Sequence, residues 1–336
     1  MKRTHLPTLP EEEQRSPTGK YRSFCKNISV ALGNWRRPGD GGESHPFDVQ
    51  IRRIPAGAAI CPYHSHATQW EMFHVISGSG TVRVNGELHP IAASDVFLHR
   101  PHTPHQTTNT GSDDLLVFII TNNPETDIFH YPDSNKWGLR PHGKYFRITE
   151  VDYFDGEDVV ATSPAHQATV PPLPPTSAFK KVNLAELPWE PWQSPKGKFR
   201  ATGKEISVAL GAVWNADIHH GGHPFDLEYA KIPAGHSGCP YHSHATQSEL
   251  FVILAGAGTV RAGDQTLTVT AGDVILHPPG EAHQLINSGT EELVYLLVAD
   301  NPPADYWYYP DSNKWGIRSP RKIFRPQEVD YWEGEE

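Results

Sequence analysis

Residues 61–71 read CPYHSHATQWE and residues 239–249 read CPYHSHATQSE, ten letters of eleven alike. Shifting the chain by 178 residues lays Gly19–Gly156 over Gly197–Gly334 without a gap, with 65 identities in 138 positions, about 47%. So long an offset demands two like units rather than one large core or a short-period solenoid. The register also runs backwards: Leu6, Leu9, Pro10, Ser16 and Pro17 fall on Leu184, Leu187, Pro188, Ser194 and Pro195. Composition alone makes residues 1–18 a loose polar tail. Their recurrence predicts an ordered arm packed over a domain instead. The join, EDVVATSPAHQATVPPLPPTSAF, has no counterpart and reads as an extended, semi-rigid spacer. The chain therefore divides into an N-terminal domain with its arm (1–156), a Pro-rich linker (157–179) and a C-terminal domain (180–336).

Each unit reads as all-β. Short alternating or apolar runs (FDVQIRRI, EMFHVI, TVRV, DVFLHR and LLVFII in the first) sit between Gly, Pro and Asn turns. NGE at 85–87 and GDQ at 263–265 mark tight hairpins. No helical pattern of 10–15 residues intervenes, which excludes a doubly wound sheet. Many short strands with closed edges fit a sandwich or small barrel.

Charge and composition narrow the partners. The formal net charge is -10, with no long basic run, which disfavours nucleic acid and anionic membranes. No run of 18 apolar residues predicts a membrane helix, and MKRTHLPTLPEEEQR lacks the apolar core of a secretory signal. The expectation is a cytoplasmic protein acting on small molecules, with pairing of two chains left open. Three cysteines, Cys25, Cys61 and Cys239, do not make a disulfide scaffold. Cys61 and Cys239 stand three before the first histidine of each motif. On a strand they would face away from it, as small buried apolar residues.

His64 and His66 are two apart and share a face on a strand. Glu71 follows five later, and His105 thirty-four after that. The second copy supplies His242, His244, Glu249 and His283 at the same spacing. Three imidazoles and a carboxylate can hold a divalent first-row metal with two neighbouring positions open. The competing reading is a set of ordinary histidines kept by duplication.

The glycines and prolines around these residues carry a resemblance. The first motif of the cupin superfamily appears as Gly57, His64, His66, Glu71 and Gly78, with one extra residue before the first histidine. The second appears in full as Gly272, Pro278, Gly280, His283 and Asn287. In the first domain Ser94, Arg100 and His102 replace its Gly, Pro and Gly, while His105 and Asn109 remain. The chain thus resembles a bicupin, two tandem double-stranded β-helix (jelly-roll) barrels. It is also similar to uncharacterised small bacterial cupins with a YPDSxK segment. The resemblance implies a metal (Fe, Mn, Ni, Co or Zn) on His64, His66, Glu71 and His105, and another on His242, His244, Glu249 and His283.

Around the expected centres, Gln69 and Gln247 lie two before the glutamate and are candidates to orient water or substrate, or equally to make structural hydrogen bonds in the turn. Phe73 and Phe251 are expected to line the lumen; His99 and His277 share the strand parity of the metal ligands, but the Pro-containing turn between breaks the counting, so a place behind the metal is the lesser reading for them. His102, opposite Gly280, is a candidate proton-transfer residue in the first site only. YPDSNKWG at Tyr131–Gly138 and Tyr309–Gly316 reads as a plug over one barrel end, or as a contact for substrate through Asp133 or Lys136. Open metal positions suit a small chelating oxygenated substrate. With no repeated lone carboxylate to act as base, dioxygenase-type chemistry is slightly favoured. The alternatives are a sugar or keto-acid isomerase, an oxalate-type decarboxylase, and a non-catalytic metallated sensor or binding protein.

Overall fold

The computed structural model describes residues 1–34, 43–151, 153–157, 179–318 and 320–335. Apart from its two end residues, the linker read at 157–179 lies outside the described residues. Each half is an all-β barrel. In the first, an antiparallel seven-stranded sheet runs in the order Lys181–Asn183, Asp95–His99, Glu71–Ser77, Leu115–Asn122, Phe47–Ile54, Arg22–Asn27, Glu12–Arg15. A three-stranded sheet (His105–Thr108, Ser79–Val84, Glu87–Ala92) and a four-stranded one (Lys144–Phe146, Lys136–Arg140, Asp127–Tyr131, Ser65–His66) complete it. The second half repeats the pattern strand for strand. The predicted hairpin at 85–87 is present, with φ of 49° at Asn85 and 89° at Gly86, the left-handed pair a tight turn requires.

Alternation along the strands makes the layers. In Phe47–Ile54, Phe47, Val49 and Ile54 are buried while the residues between are half-exposed. One cluster, including Ile54, Phe73, Val75, Phe97 and Val117, fills the first barrel, and Ile232, Phe251, Ile253, Ile275 and Leu293 fill the second. A third joins the two: Phe47, Met72, Val96 and Phe118 pack in the same cluster as Phe225, Leu250, Val274 and Leu296. The big sheets therefore bury their outer faces against each other, which orients the halves as equivalent partners.

The arm is ordered, and it crosses over. Lys2–His5 pairs antiparallel with Asp273–His277, an edge of the second barrel. Its repeat equivalent, Lys181–Asn183, pairs with Asp95–His99 of the first. Arg3 binds Asp273 through both carboxylate oxygens, and Lys181 Nζ lies 2.8 Å from Asp95 Oδ2. Each barrel thus has one exposed edge covered by a strand that begins the other half of the repeat.

Candidate metal centres in the two barrels

His64 and His105 exchange backbone hydrogen bonds, N to O at 3.1 Å and 2.8 Å, which sets their rings 4.7 Å apart between centroids. His66 sits on the short strand Ser65–His66, paired with Phe129. Glu71 opens the next strand and its carboxylate enters the same space. One ligand atom from each of His64, His66, Glu71 and His105 lies within 4.8 Å of the others, and the same holds for His242, His244 and Glu249. His283 joins that second group, its Nε2 being 2.7 Å from Glu249 Oε2. The eight residues named from the sequence are thus brought together in two fours.

Hydrogen bonds fix how the imidazoles face. His64 Nδ1 donates to Pro62 O at 2.9 Å, His105 Nδ1 to Thr103 O at 2.8 Å, and His66 Nδ1 to Asp127 Oδ2 at 2.6 Å. The second barrel repeats this with Pro240 O, Glu281 O and Asp305 Oδ2 at 2.9, 3.0 and 2.6 Å. A carbonyl oxygen can only accept, so Nδ1 carries the proton and the Nε2 lone pair points at the centre, the arrangement metal-ligating histidines take. His66 Nε2 is buried without a hydrogen bond, 3.6 Å from Glu71 Oε1, and His105 Nε2 faces Glu71 Oε2 at 2.8 Å. Two facing acceptors at that distance call for a cation or a proton between them. The donor set therefore fits a divalent first-row metal.

Burial pushes His64 down to about 3 and His242 to about 4, so both rings are neutral. Burial opposes ionisation of Glu71 and Glu249, but a proton shared with His105 or His283 and the nearby imidazoles outweigh it and hold both below the usual carboxylate range. His66 is also disfavoured as a cation by burial, yet its bond to Asp127 raises it overall. His99 and His277 do stand behind the centres, against the reading the counting favoured. Their rings stack on His105 and His283, centroids 3.9 and 4.1 Å apart and planes within 5° and 7°.

Several expectations are corrected. Cys61 and Cys239 line the same cavities as the histidines, with Sγ 3.6 and 3.8 Å from His64 Nδ1 and His242 Nδ1. CPY is a bend rather than a strand, so alternation does not apply. Burial raises both thiols to about 12, leaving them neutral. His102 is exposed and does not line the cavity. It occupies a left-handed turn, φ 62°, where Gly280 has φ 81°, and in both the backbone N–H donates to the carbonyl of the second motif histidine at 2.6 Å. Gln247 Nε2 is bound to Asp300 O at 2.6 Å, a structural use, and Gln69 is half-buried outside the residues lining the first cavity. Asp133 pairs with Arg83 at the surface. The YPDSNKWG segment is the turn and second strand of a hairpin whose first strand, Asp127–Tyr131, pins Ser65–His66 through Phe129 and His130, with Tyr131 stacked 5.9 Å from His64.

Other functional residues lie beyond the sequence reading. Asp127 and Asp305 recur at the repeat offset, which is their only signal. In the first barrel a cavity of about 200 Å³ is lined by His64, Glu71, His105, Phe73, Gln50 and Arg52, among others. Arg52 is held by Gln50 Oε1 at 3.0 Å, Ser23 Oγ at 2.9 Å and Gln14 Oε1. All three are neutral, so its charge stays uncompensated by them. The second cavity, about 660 Å³, has Glu228 in place of Gln50, and the residue at the position of Arg52, the buried Ala230, does not line it.

The family model described as "Cupin domain" matches residues 50–121 and 228–299, one span in each barrel. The chain is a bicupin. A curated relative, the oxalate-binding protein of Thermotoga maritima, is 34% identical over 68 residues, covering 20% of this chain and 55% of that protein. Auxin-binding protein 1 of Arabidopsis thaliana is 31% identical over 131 residues, 33% of this chain and 64% of that protein. The bicupin thus spans between half and two thirds of these relatives. Among solved structures, a point variant of the B. subtilis oxalate decarboxylase superposes with a TM-score of 0.53 at 15% identity, over 91% of this chain and 78% of that one. The Lactobacillus farciminis oxalate decarboxylase gives 0.52 at 15%, over 90% and 86%. At these identities the likeness establishes the bicupin fold alone. No helix among the described residues is long and apolar enough to cross a membrane.

Proposed function

We propose that this bicupin is a metal-dependent protein whose first barrel binds a small dicarboxylate of the oxalate class, with decarboxylation as the reaction to seek. The observation that carries this is Arg52, an arginine held by neutral groups on the wall of the cavity that contains His64, His66, Glu71 and His105. A guanidinium and a divalent metal facing one small space complement a dianion. The space, about 200 Å³, is below the ~300 Å³ where drug-sized pockets begin, which suits a ligand of few atoms. A bound metal would polarise the carboxylate oxygens it accepts. Arg52 would hold the other end, kept in place by Gln14, Ser23 and Gln50, while Phe73 and Ile119 exclude water.

The oxalate-type alternative has better support than the dioxygenase-type chemistry that the sequence slightly favours. Oxalate binding is named for one relative and oxalate decarboxylation for several bicupin structures, and the arginine gives an oxalate-class ligand a physical basis. Converting oxalate to formate and carbon dioxide breaks the C–C bond and places one proton on the carbon left behind. Among the described residues, the first cavity's lining holds no carboxyl beyond Glu71 to deliver that proton. This favours, as a second reading, binding without turnover.

The test uses metal-loaded full-length chain, with metal content measured by mass spectrometry. Oxalate binding is followed by calorimetry, and formate release by enzymatic assay. Arg52→Gln is expected to weaken oxalate by about 10- to 100-fold, the worth of a charged hydrogen bond, with metal content unchanged. Failure of the metal-loaded wild type to bind oxalate, or indifference to Arg52→Gln, would overturn the proposal. Binding without formate selects the second reading.

A further inference from the structure

The repeat allows the two cavities to be compared position by position. Asn27 and Gln50 of the first barrel become Glu205 and Glu228 in the second, and Arg52 becomes Ala230. Asn27 and Gln50 are direct cross-strand partners, as are Glu205 and Glu228. Side chains so placed have Cβ atoms roughly 4.5–5.5 Å apart, and like charges there are destabilising. The second barrel has thus exchanged an amide pair and a cation for two opposed carboxyls.

Other substitutions accommodate the change. Cys25 becomes Gly203, and a Cβ at Gly203 would collide with Glu228 Oε1, so the missing side chain makes room for the carboxyl. Asn27 caps the helix Ile28–Ala31 by accepting from Val30 N, whereas Glu205 makes no such cap and takes a hydrogen bond from Trp214. Gln14 becomes Trp192, and the cavity grows to about 660 Å³. Its lining includes Glu190, Glu205 and Glu228 besides Glu249 and the indoles of Trp192 and Trp214, and no lysine or arginine among the described residues, while Arg321 lies over the Trp214 ring, 4.8 Å from its centroid. No ion pair is made by Glu205 or Glu228 among the described residues. Burial first, then Glu205, Glu249 and Asp226, push the Glu228 carboxyl up to about 8. The crowded pair thus keeps a proton near neutral pH, and a positive guest can displace that proton and take its place.

We infer that the second cavity is a binding site for an organic cation, an amine on an apolar body, held between the Glu205–Glu228 pair and the rings of Trp192 and Trp214. Carboxylates supply charge-assisted hydrogen bonds to the ammonium, and indole faces attract it through their quadrupoles. The apolar walls, Ile232, Phe251, Leu285 and Leu297, take the body. The two barrels then select guests of opposite charge. This goes beyond the carboxylate reading of the first barrel and does not rest on it, because the carboxyls and indoles belong to the chain whether or not a metal is bound.

The probes are tyramine and 4-hydroxyphenylacetate, which share a phenol body and differ in carrying an amine or a carboxylate. Both are titrated into the full-length chain near neutral pH, metal-loaded and chelator-treated, by calorimetry with tryptophan fluorescence alongside. Tyramine is expected to bind one site per chain at least about tenfold more tightly than the carboxylate. The double variant E228Q/A230R, which restores the first barrel's residues, is expected to reverse that order. If circular dichroism shows that it does not fold, E205Q carries the test and is expected to weaken tyramine alone. Equal affinities, preference for the carboxylate, absence of tyramine binding, or indifference to these variants overturns the inference. Arg52→Gln leaves tyramine binding unchanged, so failure here and failure of the oxalate proposal are read separately.

Discussion

Replacing Arg3 by alanine perturbs the far end of the chain. Arg3 Nε and Nη2 donate to Asp273 Oδ1 and Oδ2 at 3.2 and 2.8 Å, and the carboxylate side chain is 2% exposed against 39% for Arg3. Removing one partner of a fully buried pair costs about 3–5 kcal/mol. Here the guanidinium is wetted, so water replaces part of it. Thr270 N–H and His5 also remain on the carboxylate, at 2.7 and 3.2 Å. The expected cost is therefore about 1–3 kcal/mol, roughly a 5- to 150-fold shift in local opening. Amide hydrogen exchange read by peptide should show Asp273–His277 and its neighbour Glu249–Val252 accelerated by that factor, with Asp95–His99 unchanged. Lys181→Ala should do the reverse, because Lys181 serves Asp95. Acceleration confined to the first barrel in Arg3→Ala, or no acceleration in either, would refute the crossed arms.

Three further outcomes are expected. Asp127→Asn should lower metal affinity about 10- to 100-fold in the first barrel only, and Asp305→Asn in the second only, seen as two phases in a competition titration with a chelator. Glu228 is raised in the folded state, to about 8. The folded chain therefore holds a proton the unfolded chain has lost, and wild-type stability should fall relative to Glu228→Gln as pH rises from about 4 to about 8, then level off, in denaturant melts. His102→Gly should raise stability by up to about 1 kcal/mol by relieving a left-handed turn, with metal content unchanged in the same preparations.

The architecture and the eight candidate ligands are legible because both are local: strand periodicity, turn residues and a motif repeated at one offset. The residues that orient those ligands are less so. Asp127 lies 61 positions after His66 and meets it because Phe129 pairs with His66 across a strand boundary that spacing does not reveal. Arg52 looks like one more alternating residue in FDVQIRRI, and its inward path depends on Gln14 and Ser23 from neighbouring strands. Strand parity misplaces Cys61 because the chain bends there. Spacing misreads His102 because a side chain at a glycine position is set by backbone φ, which turns it outward. The crossing of the arms is invisible in principle, since the offset is the same whether an arm covers its own barrel or its neighbour.

That crossing has an evolutionary side. Two identical barrels trading arms would form a symmetric dimer in which every substitution appears in both sites at once. Joined in one chain, the halves keep the mutual embrace but inherit independently. One wall can acquire an arginine while the other gains a pair of glutamates, and neither change is copied across. The traded strands keep the two halves from separating while their pockets drift apart. Fusion has in effect turned a homodimer into a heterodimer encoded by one gene.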